Sequence, residues 1–150
     1  MGLFSFLFSR KKTAQALISA RLRDANVLEL GCKTGELHEQ VSSQNYNSWT
    51  GVDELKTAIA QAKQSDNRKT SFVFSSISQY VPQQAFSIII FNQIDISPAL
   101  LMRYEGSLAP GGVFIVILSQ NASIWKQLES RYRVLDQGLS KGLLTKVLSL

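Results

Sequence analysis

The sequence is poor in the residues that mark several classes of protein. One cysteine, Cys32, among 150 residues cannot form an intramolecular disulfide framework, and this favours a reducing compartment such as the cytoplasm. The single histidine, His38, has no cysteines and carboxylates around it at metal-ligand spacing, so no metal site is predicted. With no repeat and no linker rich in proline or glycine, the chain reads as a single domain, residues 1–150.

Concentrated charge and long apolar runs are also missing. The net charge of +5 comes from basic residues scattered along the chain, without exposed aromatics interleaved on one element. A nucleic-acid partner is therefore not expected. The apolar and basic segment 1–12 is too short to span a bilayer and carries no cleavage site of a secretory signal. Its residues 3–12 have two interpretations. Phe4, Leu7 and Phe8 either pack on the domain at the start of a first helix, or insert weakly into an anionic membrane surface beside Arg10, Lys11 and Lys12.

What the chain does contain is a regular alternation of strand and helix patterns. Helical spacing of apolar residues predicts helices over 13–23, 35–43, 54–64, 98–108 and 123–130. Apolar and β-branched runs predict strands over 27–30, 49–52, 71–74, Phe86–Asn92 and 113–119, and two further strand-like runs, 132–136 and 143–148, form a terminal hairpin.

This alternation predicts an α/β fold of the Rossmann-like, doubly wound type. The sheet should be mostly parallel with a C-terminal antiparallel hairpin, and helices should cover both of its faces. The run "FSIIIFN" is apolar throughout, as in a strand buried on both sides. Strand 27–30 is expected to lie centrally beside residues 87–91.

In such a sheet, ligands bind beyond the carboxyl ends of the strands. The stretch "ELGCKTG", residues 29–35, stands at one of these ends, but it lacks both the spacing of a phosphate-binding P-loop and the glycines of a dinucleotide fingerprint. Asp53 ends the next strand, about 20 residues after the glycine turn, where a carboxylate can accept hydrogen bonds from ribose hydroxyls. It also suits the N-cap of the following helix.

Together these motifs resemble the class I S-adenosylmethionine-dependent methyltransferases. "ELGCKTG" is similar to their first motif, "GVDEL" to their second, "FSIIIFN" to their fourth strand and "LAPGGVFIVI" to the turn into their fifth. The resemblance implies S-adenosylmethionine as the cofactor. It places Glu29, Gly31, Cys32 and Gly35 around the methionine part, Asp53 at the ribose, Ser76 and Ile77 beside the adenine, and Asn92 near the methyl donor.

Two positions depart from the family pattern. Lys33 replaces a glycine, and at a positive φ a lysine costs about 1–2 kcal/mol. It is either an impediment to the cofactor or a residue with a new task, pairing with Glu29 or Asp53. Ser75 and Ser76 stand where many members carry an aspartate that holds the adenine amine.

The chemistry is less clearly marked. Asp95 is the acidic residue of the loop after the fourth strand and is a candidate general base, although an aspartate in a loop often caps a turn. His38 is expected at the surface and Cys32 as a small packed residue. The predicted function is methyl transfer to an unidentified acceptor, with an open site that suits a large partner. The alternative is a noncatalytic methyltransferase-like module that acts through protein or membrane contacts.

Overall fold

The computed structural model describes residues 12–150, and its main element is a seven-stranded sheet with the order β3-β2-β1-β4-β5-β7-β6. Strands β1 to β5 run parallel, whereas β7 and β6 are antiparallel to their neighbours. The strands are β1 Asn26–Leu30, β2 Ser48–Asp53, β3 Thr70–Phe74, β4 Phe86–Asn92, β5 Leu108–Ser119, β6 Arg133–Ser140 and β7 Leu143–Ser149. The predicted fold class is confirmed, and β1 pairs with β4 from Val27 opposite Ile88 to Leu30 opposite Phe91.

Within residues 12–150, five α-helices cover the two faces of this sheet. They are α1 Ala14–Ser19, α2 Glu36–Val41, α3 Lys56–Ala62, α4 Pro98–Glu105 and α5 Trp125–Arg131, and a 3₁₀ turn, Lys63–Ser65, extends α3. Alternate residues of β4 enter opposite cores: Ile88 and Ile90 pack with α1 and α2, while Ile89 and Phe91 pack with α4 and α5. The continuous apolar run therefore marks a strand buried on both faces, as predicted.

Several predicted boundaries are wrong by a few residues. The helices are shorter than their apolar patterns, and in α1 and α4 the difference lies at the carboxyl end. After Ser19 and Glu105 the chain continues in tighter turns, in which Arg21 N donates to Ile18 O and Ser107 N donates to Tyr104 O. The starts lie within two residues of the prediction, and the N-caps Thr13 and Ser97 accept hydrogen bonds from Ala16 N and Leu100 N.

Strand β5 begins at Leu108 rather than at Val113, because Leu108 already pairs with Phe86. The "APGG" segment that follows lies between the paired positions Leu108 and Val113 and contains Gly111 at a φ of 74°. A register shift between Phe86 and Ile88 accommodates this segment.

The predicted surface position of His38 is also wrong, because the residue lies in the interior. Its side chain is 4% exposed, and its Nε2 lies 2.6 Å from the Tyr46 hydroxyl, which in turn lies 3.1 Å from Thr70 Oγ1. Trp49 and Phe72 meet the imidazole ring edge-on. Burial lowers the pKa of His38, so the neutral form is favoured in the folded protein.

The first described residues lie against the far edge of the sheet. Lys12 forms an ion pair with Asp136 of β6, and its carbonyl approaches Gly138 so closely that the glycine has no room for a side chain. The predictions for Phe4, Leu7, Phe8, Arg10 and Lys11 lie outside the described residues. Within residues 12–150, no helix has the length and apolar character needed to cross a bilayer.

Candidate functional site

The candidate site lies where the carboxyl ends of β1, β2 and β4 meet. Strand order reverses between β1 and β4, and crevices at such a reversal are where open α/β sheets bind ligands. Glu29, Asp53 and Asn92 stand at or near the ends of these three strands. The topology thus brings together three residues that are far apart in sequence.

The loop after β1 is tightly folded and rests on β2. The amides of Gly31 and Cys32 both donate to Val52 O, at 2.8 and 3.2 Å. Gly31 and Gly35 have φ angles of 84° and 87°, and a Cβ on Gly31 would overlap Ile94 and the carbonyl of Asn92. Gly31 is therefore required both by its backbone angle and by the close approach of the loop after β4.

Lys33 also has a positive φ, 52°, at the exposed tip of this loop. The strain expected for a lysine at a glycine position is thus present in the fold. Among the described residues, no salt bridge joins its ammonium group to Glu29 or Asp53. The geometry gives no support to the pairing alternative, and the contact with Asp53 is made by the main chain instead.

Asp53 fastens the loop to the start of α3. Its Oδ2 accepts a hydrogen bond from Lys33 N at 2.8 Å, and its Oδ1 accepts one from Leu55 N at 2.9 Å. The N-cap position of α3 belongs to Leu55, so the capping interpretation of Asp53 is wrong in detail, although the carboxylate does order the approach to the helix. Each carboxylate oxygen has two acceptor sites, which leaves capacity for further donors such as ribose hydroxyls.

Glu29 is completely buried beneath the loop. Its Oε2 accepts a hydrogen bond from Asn92 Nδ2 at 2.8 Å, while its Oε1 has no partner among the described residues. Trp49 lies close enough to lower the pKa of this carboxyl group, but its Nε1 does not reach hydrogen-bond geometry and also lacks a partner. Desolvation outweighs these contacts and the nearby charge of Lys33, and it raises the pKa of Glu29 to about 7.

A first cavity of about 300 Å³ opens between the ends of β2, β3 and β4. It is lined by Glu54, Ile77, Ser78, Ile94, Asp95 and Leu100. The side chain of Glu54 extends across this cavity, since its Oε1 accepts a hydrogen bond from Ile77 N at 2.9 Å. Ser76 is not part of this lining, but its hydroxyl pairs with that of Ser78, which is. We call this space the β3-side cavity.

A second cavity of about 200 Å³ lies on the opposite side of the loop. Its lining includes Cys32, Lys33 and Asn92, together with Glu36 and Gln40 of α2. Cys32 is buried, as expected for a packed residue, and burial raises the pKa of its thiol far above the usual range. We call this space the α2-side cavity.

Four of the nine predicted site residues line these cavities, namely Ile77, Asp95, Cys32 and Asn92. The other five line neither cavity: Glu29, Gly31, Gly35, Asp53 and Ser76. Asp95, the candidate base, lines the β3-side cavity, whereas Asn92, expected near the methyl donor, lines the α2-side cavity. The assignment of Asp95 as a base remains a prediction.

Sequence reasoning missed two residues of this edge, Glu54 and Trp49. The sequence feature that could have identified Glu54 is its position directly after Asp53. Nothing in the local pattern of Trp49 indicates that its indole faces a carboxyl group 20 residues away in sequence.

Comparison with solved structures shows the fold. A methyltransferase from Pseudomonas syringae, described as putative, superposes with a TM-score of 0.72 at 21% identity and covers 91% of this chain and 96% of its own. The N-methyltransferase NodS from Bradyrhizobium japonicum WM9 gives 0.72 at 18%, with 89% and 90% covered. The ribosomal protein L11 methylase from Lactobacillus delbrueckii subsp. bulgaricus gives 0.71 at 16%, with 90% and 76% covered. No protein-family model matches the sequence, and no curated protein matches it significantly.

This chain has the fold of the S-adenosylmethionine-dependent methyltransferases. NodS has also been crystallised with S-adenosyl-L-homocysteine, so a neighbour of this fold accommodates the product form of the cofactor. Two glycines form the close-packed loop, Asp53 retains free acceptor capacity, and the cavities lie on either side of the loop and Asp53.

Proposed function

We propose that this protein is an S-adenosylmethionine-dependent methyltransferase acting on an acceptor still to be identified. The observation that carries the proposal is the position of the two cavities relative to Asp53. Glu54, the next residue, lines the β3-side cavity, and Lys33, whose amide binds Asp53, lines the α2-side cavity. An extended ligand with a nucleoside at one end and an amino acid at the other matches this arrangement.

Each residue would have a defined task. Asp53 would accept hydrogen bonds from the ribose hydroxyls, and the β3-side cavity with Ser76 and Ile77 would hold the base. Gly31, Cys32 and Gly35 would form the wall beside the methionine portion, and Glu29, buried beneath them, would hold Asn92 in place. When bound, the cofactor supplies a methyl group activated by a sulfonium, so the protein mainly orients the acceptor and removes its proton.

The acceptor would enter from the α2-side cavity, which has a polar rim. Glu36, Gln40 and Gln93 line it, and Gln93 donates a hydrogen bond to Asn92 Oδ1. The small volume and open rim favour an acceptor that presents only its reactive group, as a macromolecule does. Asp95 lies on the other side, so as a base it would require the loop after β4 to move.

A noncatalytic binding module is the second candidate, and it rests on a different observation. The carboxylates that would meet the ligand already accept hydrogen bonds from the protein's own backbone: Asp53 from Lys33 and Leu55, and Glu54 from Ile77. Both carboxylates thus already have hydrogen-bond donors within the protein. A module of this kind would keep the fold and bind partners with its surface.

Calorimetric titration with S-adenosylmethionine and with S-adenosylhomocysteine separates the two candidates. The methyltransferase proposal expects saturable binding of both ligands, weakened by Asp53→Ala because the ribose hydroxyls lose their acceptor. Glu39→Gln is the matched control, since it removes an exposed acidic charge on α2 that lines neither cavity. A folded protein that binds neither ligand would be assigned to the noncatalytic class.

A further inference from the structure

The last strand in the sheet order, β6, carries exposed residues that line neither the β3-side nor the α2-side cavity. Exposed and half-buried residues alternate along this strand, and the turn after it is exposed as well. The exposed residues at this two-residue spacing are Arg133, Leu135, Gln137, Leu139 and Lys141. We call them the β6 surface. Two leucines, 42% and 44% exposed, thus lie between two cations, along roughly 25 Å of chain.

Three acidic side chains near β6 are already neutralised by cations of the fold. The pairs are Asp136 with Lys12, Glu129 with Lys146, and Glu105 with Arg131. Within residues 12–150, Arg133 and Lys141 form no salt bridge, and segment 1–11 contains no acidic residue that could supply one. The β6 surface therefore presents two uncompensated cations to a partner.

The chain enters the described part of the fold beside this surface. The carbonyl of Lys12 lies against Gly138, which stands between two residues of the β6 surface in sequence. Arg10 and Lys11 lie outside the described residues, but they are within two residues of Lys12 and hence within about 8 Å of it. Segment 3–12 is apolar and basic, as is typical of a contact with anionic lipid. A lipid surface, being continuous and anionic, can contact both the segment and the β6 surface.

Pairing with a second copy of the chain is disfavoured by charge. An antiparallel two-fold contact would set Leu135 against Leu139 of the other copy. The same register sets Arg133 against Lys141, and like charges directly opposite one another are destabilising. The register shift within β6 also bends this edge, as bulges do in edge strands that avoid pairing. Anionic headgroups, by contrast, can pair with both cations at once.

We propose that the β6 surface docks on an anionic membrane surface, with Arg133 and Lys141 at the lipid headgroups and Leu135 and Leu139 in the interface between them. The backbone edge of β6 stays hydrated, because unpaired N–H and C=O groups are not tolerated in hydrocarbon, so the contact is confined to headgroup level. Leu143, two residues after Lys141, lines the α2-side cavity. A membrane contact here would hold that cavity close to the lipid.

Co-sedimentation of the full chain with lipid vesicles tests the proposal. The protein should bind vesicles of phosphatidylcholine and phosphatidylserine in a ratio of about 7:3, but not phosphatidylcholine alone, and high salt should weaken binding. Arg133→Gln combined with Lys141→Gln should weaken binding by about tenfold or more, because both cations act at the anionic surface. Leu139→Ser should weaken it by about threefold, since an apolar side chain no longer enters the interface.

Matched variants at the other edge of the sheet serve as controls. Lys63→Gln combined with Arg68→Gln removes the same charge from exposed positions before β3, and binding should change by less than about twofold. Val81→Ser removes another exposed apolar side chain, 63% accessible, and should have no effect. All these side chains are exposed, so each variant should keep the melting temperature of the unmodified protein.

Three outcomes would overturn the proposal. Equal losses in the two double variants would show that only net charge matters. Unchanged binding in the β6 variants would assign the membrane contact to segment 3–12 alone. Absence of binding to the mixed vesicles would leave the surface to another partner, and a dimer in gel filtration that Leu139→Ser dissociates would identify a second copy. None of these results depends on whether S-adenosylmethionine binds, so the proposed function is tested separately.

Discussion

At the scale of single residues, Lys33 holds a backbone angle that lysine adopts only at a cost. With φ at 52° and an exposed side chain, it gains no ion pair with Glu29 or Asp53 to offset the strain. Lys33→Gly should therefore raise the free energy of unfolding by about 1 kcal/mol, the strain relieved being partly offset by the flexibility of glycine in the unfolded chain. Binding of S-adenosylmethionine should tighten by up to about tenfold. Chemical denaturation and calorimetry measure the two effects.

Two variants separate the effect of the lysine charge from the effect of backbone strain. Lys33→Ala removes the charge but keeps the strained Cβ, so it should recover only the part of the affinity that is lost to repulsion of the sulfonium. Lys141→Gly relieves a similar angle, 51°, in the distant hairpin and should stabilise the protein without changing affinity. If Lys33→Gly lowers stability, its side chain makes a contact that the fold does not show, and the impediment hypothesis fails.

Glu29 predicts how stability depends on pH. Its pKa is raised from 4.5 to about 7 by burial, so the folded protein binds its proton more tightly than the unfolded chain does. The resulting stabilisation is complete below pH 4.5 and is lost as the pH rises through 7, with a size on the order of 3 kcal/mol. Glu29→Gln keeps an acceptor for Asn92 and should abolish this loss. Urea denaturation between pH 5 and pH 8 gives the comparison.

His38 has the opposite effect, and its contribution serves as the internal control. Burial lowers its pKa, so the unfolded chain takes up the proton first and stability falls as the pH drops below 6.5. In Glu29→Gln only the loss of stability at acid pH should remain. The free energy of unfolding should then fall more steeply with decreasing pH than it does in the unmodified protein. An unchanged profile in Glu29→Gln would mean that Glu29 is ionised in the fold.

At the scale of secondary-structure elements, the β6–β7 hairpin is closed by a turn of unfavourable composition. Lys141 and Gly142 both have positive φ angles, 51° and 77°, as in the two-residue turns that match the twist of a hairpin. Asparagine adopts this first position far more readily than lysine does. Lys141→Asn should raise the melting temperature by a few degrees, equivalent to about 0.5–1 kcal/mol. Lys126→Asn, a substitution within α5, is the matched control and should not stabilise.

The elements that were predictable are those buried on both faces. Strand β4 has its predicted bounds because five of its seven residues are apolar, as is typical of a strand buried on both faces. The start of β5 was not predictable, since "APGG" has the composition of a turn, and the pairing of Leu108 with Phe86 before it depends on a register shift between Phe86 and Ile88. The carboxyl ends of helices were misplaced because apolar periodicity continues beyond them. Leu22 is buried like a helix residue, although the chain has already left α1 through tighter turns at Arg21 and Leu22.

The candidate site was predictable as a set of positions but not as a set of contacts. Glycine spacing and the acid after β2 located Gly31, Gly35 and Asp53 correctly at one edge. That Asp53 binds the amide of Lys33, and that Glu54 reaches Ile77, depends on side-chain directions that only the packed loops determine. The buried state of His38 was missed for the same reason, because its partner Tyr46 lies on a different element.

At the scale of the whole molecule, the topology gathers the candidate ligand contacts at one edge of the sheet. Residues from β1, β2, β4 and the loop after β3 contribute, and each packs on a core shared with the others. A ligand that spans both cavities would therefore stabilise the entire domain rather than one loop.

Ligand-induced stabilisation is the prediction at this scale. At a concentration one hundred times its dissociation constant, S-adenosylhomocysteine should add about 2.7 kcal/mol to the free energy of unfolding. For a chain of this length the melting temperature should rise by about 5–10 °C. Asp53→Ala should lose most of this increase at the same ligand concentration, while Glu39→Gln should keep it, each variant being compared with its own ligand-free melting temperature. Homocysteine alone should have no effect, because it lacks the ribose and the base. If millimolar S-adenosylhomocysteine leaves the melting temperature of the folded protein unchanged, the internally satisfied carboxylates describe its working state, and the surface would then be the functional part of the molecule.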